Sequence, residues 1–294
     1  MAAAPLRQIA PDLLCLVAPN PSPLTAEGTN TYLLGRREIA VIDPGPDDPR
    51  HLEAILASLP PGAAVHTIIV THAHLDHSAL AATLSARTGA PVLAFGDALS
   101  GRSALMRGLP GLAGGEGLDL AFRPDRVIPD RAVIASDDWQ LQALHTPGHL
   151  GGHLCLDLAS RGICFSGDHV MGWSTSIVSP PDGDMTDYLA SLDRMAGLGE
   201  RLLLPGHGAA VPEGRARIAE LSRHRRTREA EILAALAAGA ATPADLARRI
   251  YTTTPAGLLP AATRNVLAHL IDLARRNLVT AETQIGPDTR FRRS

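Results

Sequence analysis

One short segment of the sequence concentrates side chains that bind metal ions. It reads THAHLDH over residues 71–77 and directly follows an apolar, β-branched run at residues 67–70 that is typical of a buried strand. His72 and His74 lie two residues apart and can direct their imidazoles at one point. Asp76 and His77 can reach a second point nearby as the chain turns. Four such side chains in six residues indicate metal binding rather than unrelated histidines.

Three later motifs end in side chains of the same kinds. They are TPGH at residues 146–149, SGD at residues 166–168 and PGHG at residues 205–208, and they contribute His149, Asp168 and His207. The whole set contains five His and two Asp and no thiolate. Such a set suits two divalent cations per chain, with Zn²⁺ first and Mn²⁺ or Fe²⁺ as alternatives, because a carboxylate can bridge two ions.

The order of these motifs over about residues 10–210 resembles that of the metallo-β-lactamase superfamily of hydrolases. The resemblance implies an α/β fold, an αββα sandwich of two packed sheets with the metals at one edge. It also implies two groups of metal ligands and one bridging carboxylate: His72, His74 and His149; Asp76, His77 and His207; and Asp168. Asp43, which ends its strand in an IDPG turn, would orient the ligand loop.

Such a ligand set implies a metal-dependent hydrolase. Two divalent ions would lower the pKa of a shared water, and the bridging hydroxide would attack a carbonyl carbon or a phosphorus. Asp76 could accept a hydrogen bond from this nucleophile. His153, four residues after His149, is a candidate proton donor to the leaving group because of its nearness in sequence. Asp76 and His153 are therefore the candidate catalytic residues.

The charge balance changes near residue 212. Residues 213–294 contain 14 Arg and 8 acidic residues, whereas residues 1–212 contain 13 Arg and 22 acidic residues. The tail reads as helices at about residues 215–238, 243–251 and 260–277 followed by a short strand pair, which is a winged-helix pattern. We therefore divide the chain into a catalytic domain, residues 1–212, and a small winged-helix domain, residues 213–294.

A narrower resemblance concerns the substrate. The segments NPSPLT at residues 20–25 and GTNTY at residues 28–32, together with His153 and the winged-helix tail, resemble the β-lactamase-like protein 2 group. Its best-described member is a mitochondrial endoribonuclease that cuts single-stranded RNA. Fungal polyketide thioesterases share the GTNTYL segment, so a small-molecule ester or thioester is the alternative substrate, as in those enzymes or in the glyoxalase II branch. A DNA-binding winged-helix regulator with a metal sensor site is a remote alternative.

Other features leave this choice open. Arg223, Arg225, Arg226 and Arg228 on the first tail helix could attract RNA, but a solvated helix face is the favoured interpretation. RNA cleavage is the first prediction, but the acidic catalytic part and an aromatic content of 3% make acyl chemistry a serious rival. Residues 171–185 are rich in Pro and Gly and suggest either a loop at the mouth of the site or a rigid linker. The family usually has Thr where this sequence has Leu150.

The remaining composition bears on location. No run of about 18 apolar residues could span a membrane, and the N-terminus lacks a basic segment followed by an apolar run, so no secretory signal is expected. Cys15, Cys155 and Cys164 have no CxxC spacing and read as reduced core thiols. The sequence thus predicts a cytoplasmic protein without a membrane partner. A homodimer is compatible with it, because winged helices often serve as dimerisation modules.

Overall fold

The computed structural model describes residues 6–109, 112, 114–115 and 117–294, so a mobile Gly-rich loop expected at residues 108–117 lies partly outside the described residues. The first sheet has seven strands that lie in sequence order: β1 (Leu6–Ala10), β2 (Leu13–Val17), β3 (Asn30–Leu34), β4 (Glu38–Ile42), β5 (Ala64–Ile69), β6 (Val92–Ala94) and β7 (Arg126–Val127). Neighbours from β1 to β4 are antiparallel, and those from β4 to β7 are parallel.

The second sheet has five strands: β8 (Val133–Ala135), β9 (Gln140–His145), β10 (Leu154–Leu158), β11 (Ile163–Gly167) and β12 (Leu202–Pro205). Pairing is antiparallel except between β11 and β12. Every residue of β10 and β11 is buried, as expected for strands covered on both faces.

Eight α-helices connect or cover these strands in the described part of the chain: α1 (Pro49–Ala57), α2 (Leu75–Ser78), α3 (Ala81–Thr88), α4 (Ala104–Arg107), α5 (Met185–Ala196), α6 (Gly214–Leu236), α7 (Pro243–Ile250) and α8 (Leu259–Arg275). Their ends follow local chemistry. The Asp184 carboxylate accepts the Thr186 N–H at the start of α5, and α3 ends at Gly89 in the left-handed conformation.

The apolar side chains form a sandwich of four layers. Tyr32, Ile42 and Ile69 of the first sheet share a buried cluster with Leu156 and Phe165 of the second. The outer face of the first sheet is covered by α1 and α3, and that of the second by α5 and the start of α6. The predicted αββα arrangement is therefore confirmed.

Two local features differ from what the sequence indicates. Strands β1 and β2 form a hairpin that was not predicted. The Ala/Leu-rich run at residues 78–88 predicts one helix that ends at Gly89, but the helix found there, α3, begins only at Ala81. The separate helix α2 precedes it and does not continue, because the Leu80 N–H donates to the Gly45 carbonyl at 3.1 Å. The break leaves α2 as a single turn that holds the residues after His74 in place.

The C-terminal part contains the predicted winged helix. Helices α7 and α8 are followed by a ribbon of β13 (Val279–Ala281) and β14 (Phe291–Arg293). A capping box between Thr242 and Asp245 begins α7. The first half of α6 packs on the second sheet, whereas Ile232 and Leu236 pack in the winged-helix core. Helix α6 thus contributes to both cores, and the boundary between residues 212 and 213 stays a prediction.

Two further findings concern the surface and the thiols. None of the described helices is long and apolar enough to cross a membrane. Cys15, Cys155 and Cys164 are all buried and free, in agreement with their interpretation as core thiols. Burial raises the pKa of the Cys15 thiol to about 12, so this group is held in its unreactive protonated form.

Candidate metal centre

The four motifs meet at one edge of the sandwich. The segment after β5 and the one-turn helix α2 face the ends of β11 and β12 and the turn after β9. All seven predicted ligands are brought together there: His72, His74, Asp76, His77, His149, Asp168 and His207. They form three overlapping groups whose potential ligand atoms lie within 4.8 Å of one another.

The first group contains His72, His74 and His149. His149 Nε2 lies 3.0 Å from His74 Nδ1. His72 Nε2 is buried without a hydrogen-bond partner in the described part of the chain. A buried imidazole nitrogen with no partner is costly unless a cation or another group satisfies it.

The second group contains Asp76, His77 and His207. His77 Nε2 and His207 Nε2 lie 3.3 Å apart, and His207 Nε2 lies 3.2 Å from Asp76 Oδ2. Asp168 stands between the groups, since its Oδ2 is 3.3 Å from His207 Nε2 and 3.7 Å from His149 Nε2. Its Oδ1 is buried without a hydrogen-bond partner among the described residues.

Hydrogen bonds to the outer ring nitrogens fix the orientation of four imidazoles. The acceptors for Nδ1–H are the Asp43 carboxylate for His77 at 2.9 Å, the Ile177 carbonyl for His149 at 2.7 Å, the Gly28 carbonyl for His207 at 3.2 Å and the Thr71 hydroxyl for His72 at 3.0 Å. These acceptors assign a proton to Nδ1, so each Nε2 points into the cluster and offers its lone pair to a cation when the imidazole is neutral. Inward lone pairs and unpartnered buried atoms fit a pair of divalent cations.

The electrostatics differ between the two groups. Burial lowers the pKa of His74 to about 3, and it also lowers the pKa of His72 and His149. These imidazoles are neutral, which is the form that binds a metal ion. Burial also acts to lower the pKa of His207, but the Asp168 and Asp76 carboxylates outweigh it and raise that pKa to about 9. Cation binding at the second group would therefore release a proton.

Asp43 connects the ligand loop to the sheet. It has a left-handed backbone with φ of 51°, which Asp tolerates better than most residues. Its carboxylate accepts the Thr71 N–H at 2.7 Å, the Thr71 hydroxyl at 2.8 Å and His77 Nδ1–H at 2.9 Å. Its position therefore suits the orienting role that the sequence predicts.

The glycine of the PGHG motif is required by close approach. A Cβ on Gly206 would overlap Asp168 Oδ1 and lie 2.6 Å from Cε1 of His77. A side chain here would therefore displace Asp168 or His77 from the cluster. Leu150, the departure from the family pattern, packs in the apolar cluster outside the first sheet, and His149 still donates to Ile177.

His153 lies behind the cluster and not in the cavity above it. It is completely buried, its Nε2 accepts the Asp168 N–H at 3.2 Å, and its Nδ1 lies 2.9 Å from the Thr146 hydroxyl. Because Nε2 must be an acceptor there, Nδ1 carries the proton and donates to Thr146. This geometry does not fit a proton donor to a leaving group, and it makes His153 a residue that positions Asp168.

A cavity of about 380 Å³ lies over the cluster. His74, Asp76, His149, Asp168 and His207 are exposed to it on one side. The segment at residues 171–185 contributes Met171, Trp173 and Ile177 to its walls, as the mouth-loop interpretation expects. Two further contributors were missed in the sequence: the loop at residues 22–25 and the start of α8. Both mix apolar and polar side chains without a motif, so no local signal in the sequence marks them as cavity residues.

The arginines of α6 do not form one solvated face. Arg225 is buried, donates to the Asn265 side chain at 3.1 Å and to the Ser176 carbonyl, and lies over the Tyr188 ring at 5.0 Å. Arg228 pairs with Glu231 at 2.6 Å. Only Arg223 and Arg226 of the four candidates are exposed.

Comparison with known proteins gives the same class of protein as the fold and the site. The model of the metallo-beta-lactamase superfamily matches residues 24–207, and that of the beta-lactamase associated winged helix domain matches residues 242–287. The chain belongs to the metallo-beta-lactamase superfamily, and we conclude that it is a metal-dependent hydrolase.

The similarity to individual relatives extends over most of the chain. It is 31% identical over 269 residues to an atrochrysone carboxyl ACP thioesterase of Aspergillus fumigatus, covering 84% of this chain and 76% of that protein. It is 30% identical to a beta-lactamase-like protein 2 homolog of Drosophila melanogaster, covering 87% and 85%. A metallo-beta-lactamase family protein from Thermus thermophilus has a similar structure, with a TM-score of 0.77, 26% identity and coverage of 98% and 100%.

Proposed function

We propose that this hydrolase cleaves a small-molecule acyl ester or thioester. The observation that carries the proposal is the cavity over the His/Asp cluster, whose walls are largely apolar. Among its described lining residues, Arg264 is the one arginine and there is no lysine, whereas a nucleic-acid channel needs several such side chains. One relative is named as an acyl carrier thioesterase, which supports the same chemistry.

The proposed cofactor is a pair of divalent cations, Zn²⁺ first, with Mn²⁺ or Fe²⁺ as alternatives. His72, His74 and His149 would hold one cation, Asp76, His77 and His207 the other, and Asp168 would contact both. When bound, the cations would act as Lewis acids on a carbonyl oxygen and lower the pKa of water.

The chain's own residues have separate tasks in this proposal. Asp76, whose side chain is 30% exposed, is positioned to accept a hydrogen bond from the attacking water. The Thr29 hydroxyl donates to Asp76 Oδ2 at 3.2 Å and fixes that carboxylate. His153 holds the Asp168 backbone, and the apolar walls exclude bulk water from the reacting carbonyl.

Two other hypotheses fit the structure less well. A single-strand endoribonuclease would use the arginines of α6, but Arg225 is buried and Arg228 is paired. A DNA-binding regulator would need an exposed recognition helix for the major groove. Residues 265–273 of α8 are all buried, so this helix has no free face along most of its length.

The experiment compares the wild-type protein with the double variant His72→Ala/His74→Ala. Elemental analysis measures metal content, and both proteins are given an acyl thioester and labelled single-stranded RNA. About two metals per chain and thioester turnover that the double variant lacks would support the proposal. Variant-sensitive RNA cleavage without thioester turnover would replace it by the endoribonuclease hypothesis. A metal-loaded protein that hydrolyses neither substrate but protects DNA in a footprint would favour the regulator.

A further inference from the structure

The cavity is shared between the sandwich and the winged-helix part of the chain. Leu258, directly before α8, and Ala261, Arg264 and Asn265 of α8 form one of its walls. Residues spaced three and four apart lie on one face of a helix. The first turns of α8 therefore present a continuous face to the metal centre.

This wall is held in a fixed position. Asn265 Oδ1 accepts the Val178 N–H at 3.1 Å from the mouth loop, and the Thr186 hydroxyl of α5 donates to Asp272 Oδ1 at 2.6 Å. Ala268 packs in the cluster that covers the second sheet. Because these three contacts hold α8, its cavity face cannot move away to admit a larger ligand without breaking buried contacts.

Leu258 and Ala261 are the apolar residues of this wall, and exposed apolar side chains lie across the cavity from them. Leu24 is 48% exposed and Trp173 is 43% exposed, and both line the cavity together with Met171 and Ile177. Exposed large apolar side chains that converge on one cavity indicate a binding surface. The His/Asp cluster lines the same cavity as these apolar side chains, so a ligand suited to it has a polar reactive group and an apolar body.

We infer that the start of α8 selects the acyl group of the substrate. An apolar acyl chain lies between Leu258 and Ala261 on one side and Trp173 on the other, with its carbonyl at the metal centre. Ala261 has the smallest side chain of this wall, so its methyl group sets the room available to the chain. This inference rests on the proposed acyl hydrolase function and adds the substrate class.

The first test uses a series of acyl thioesters from acetyl to decanoyl on one thiol. We expect Ala261→Phe to lower the ratio of kcat/KM for decanoyl to that for acetyl by at least about tenfold, the size of effect that small changes in an apolar pocket produce. Ala261→Leu should give a smaller decrease, and Leu258→Ala should shift the ratio in favour of the longer or bulkier acyl groups.

The matched control is Ala256→Phe, because Ala256 is exposed on the turn before α8 and does not line the cavity. Metal content and thermal midpoint verify that each variant is folded. An equal loss for every chain length in the folded Ala261 variants, or no change in the ratio, would overturn the inference.

A second test does not depend on turnover. Decanoate binding is followed by the fluorescence of Trp173, and Trp173→Phe identifies that signal against the buried Trp139. We expect quenching in the wild type and a Kd at least about tenfold weaker in Ala261→Phe. If decanoate binding depends on Ala261 but the protein has no thioesterase activity, the proposed function is wrong, whereas the inference that the α8 wall binds an apolar chain stands. Equal decanoate affinity of the wild type and Ala261→Phe would reject the inference that the α8 wall contacts the acyl chain.

Discussion

Asp43 shows at the level of a single residue how the metal centre is supported. Its carboxylate accepts three hydrogen bonds from the ligand segment while its own backbone is left-handed. Such backbone strain persists only where the surroundings over-determine it, and it is often found at functional sites. The negative charge beside His77 also increases the basicity of the inward-facing Nε2.

Asp43→Asn separates these contributions, because Asn also tolerates a left-handed backbone. We expect it to weaken metal affinity by about 10- to 100-fold, the usual cost of losing such a partner. Titration with Zn²⁺ against a competing chelator measures the effect. Asp43→Ala, which adds backbone strain, should lower the thermal midpoint more than Asn does. Unchanged affinity in a folded Asn variant would contradict the orienting role.

His153 is predicted to act on the position of Asp168 and not on the leaving group. We expect His153→Ala to lower metal content and kcat/KM at every pH, without changing the shape of the pH–rate profile. A proton donor would instead remove the limb of the profile at high pH, where the donor must be protonated. The profile therefore distinguishes the two roles, and full turnover with full metal content would exclude both.

His269 gives a prediction about pH and stability. Neither ring nitrogen has a hydrogen-bond partner within the described ranges, and burial, with Arg225 nearby, lowers the pKa of this histidine to about 3. The unfolded chain binds its proton below pH of about 6.5 while the folded chain does not. The free energy of unfolding therefore decreases as the pH falls from about 6.5 toward 3, by about 1.4 kcal/mol per pH unit.

Replacement by an apolar side chain tests this contribution. We expect His269→Leu to have a shallower decrease in the free energy of unfolding between pH 6.5 and 5 than the wild type. Denaturant unfolding at each pH measures it, and the same metal ligands are present in both proteins. Parallel curves for the two proteins would show that His269 titrates normally in the fold.

At the level of elements, Arg225 of α6 contacts α5, α8 and the mouth loop at residues 171–185. The side chain is completely buried, yet its partners are the neutral Asn265, the Ser176 carbonyl and the Tyr188 ring. A hydrogen bond from a charged donor is stronger than one between neutral groups. A cation–π contact is likewise stronger when it is desolvated than when it is exposed to water. Arg225 thus connects the segment that forms the cavity mouth to the helix that forms its wall.

Arg225→Met keeps much of the side-chain volume and removes these contacts. We expect a loss of at least about 2 kcal/mol in the free energy of unfolding, together with faster hydrogen exchange at residues 176–178. Arg226→Met, an exposed neighbour on the same helix, is the control and should change stability by less than about 0.5 kcal/mol. Equal effects of the two substitutions would show that the buried contacts contribute little.

These elements also show how far the sequence could be interpreted. The residues of the His/Asp cluster could be found in the sequence because each follows a strand or lies in a Gly turn, and both signals are local. The burial of Arg225 was not, because a run of arginines on a helix has the same composition whether the helix is solvated or packed. Leu258 and Ala261 were not predictable either, since an apolar helix face reads as core wherever it lies. The β1–β2 hairpin was missed because no residue of its first strand is buried and the strand is weakly patterned.

At the scale of the whole molecule, the predicted metal ligands come from both sheets. His72, His74 and His77 follow β5 of the first sheet, whereas His149, Asp168 and His207 follow strands of the second. The α8 wall is separate from all of them, because it approaches from the C-terminal part of the chain. Changes in α8 can therefore alter the cavity without altering the metal ligands.

The division of the ligands between the two sheets has a consequence for the order of folding events. The site is complete only after residues more than 100 positions apart in the chain have met, so contacts with cations form late on the folding pathway. Interactions that are absent from the transition state slow unfolding and leave the folding rate nearly unchanged. We expect removal of metal by a chelator to change only the unfolding limb of a stopped-flow experiment, raising the unfolding rate while refolding proceeds at the same speed. The cations would then stabilise the protein kinetically, by lowering the unfolding rate of a structure that folds without them.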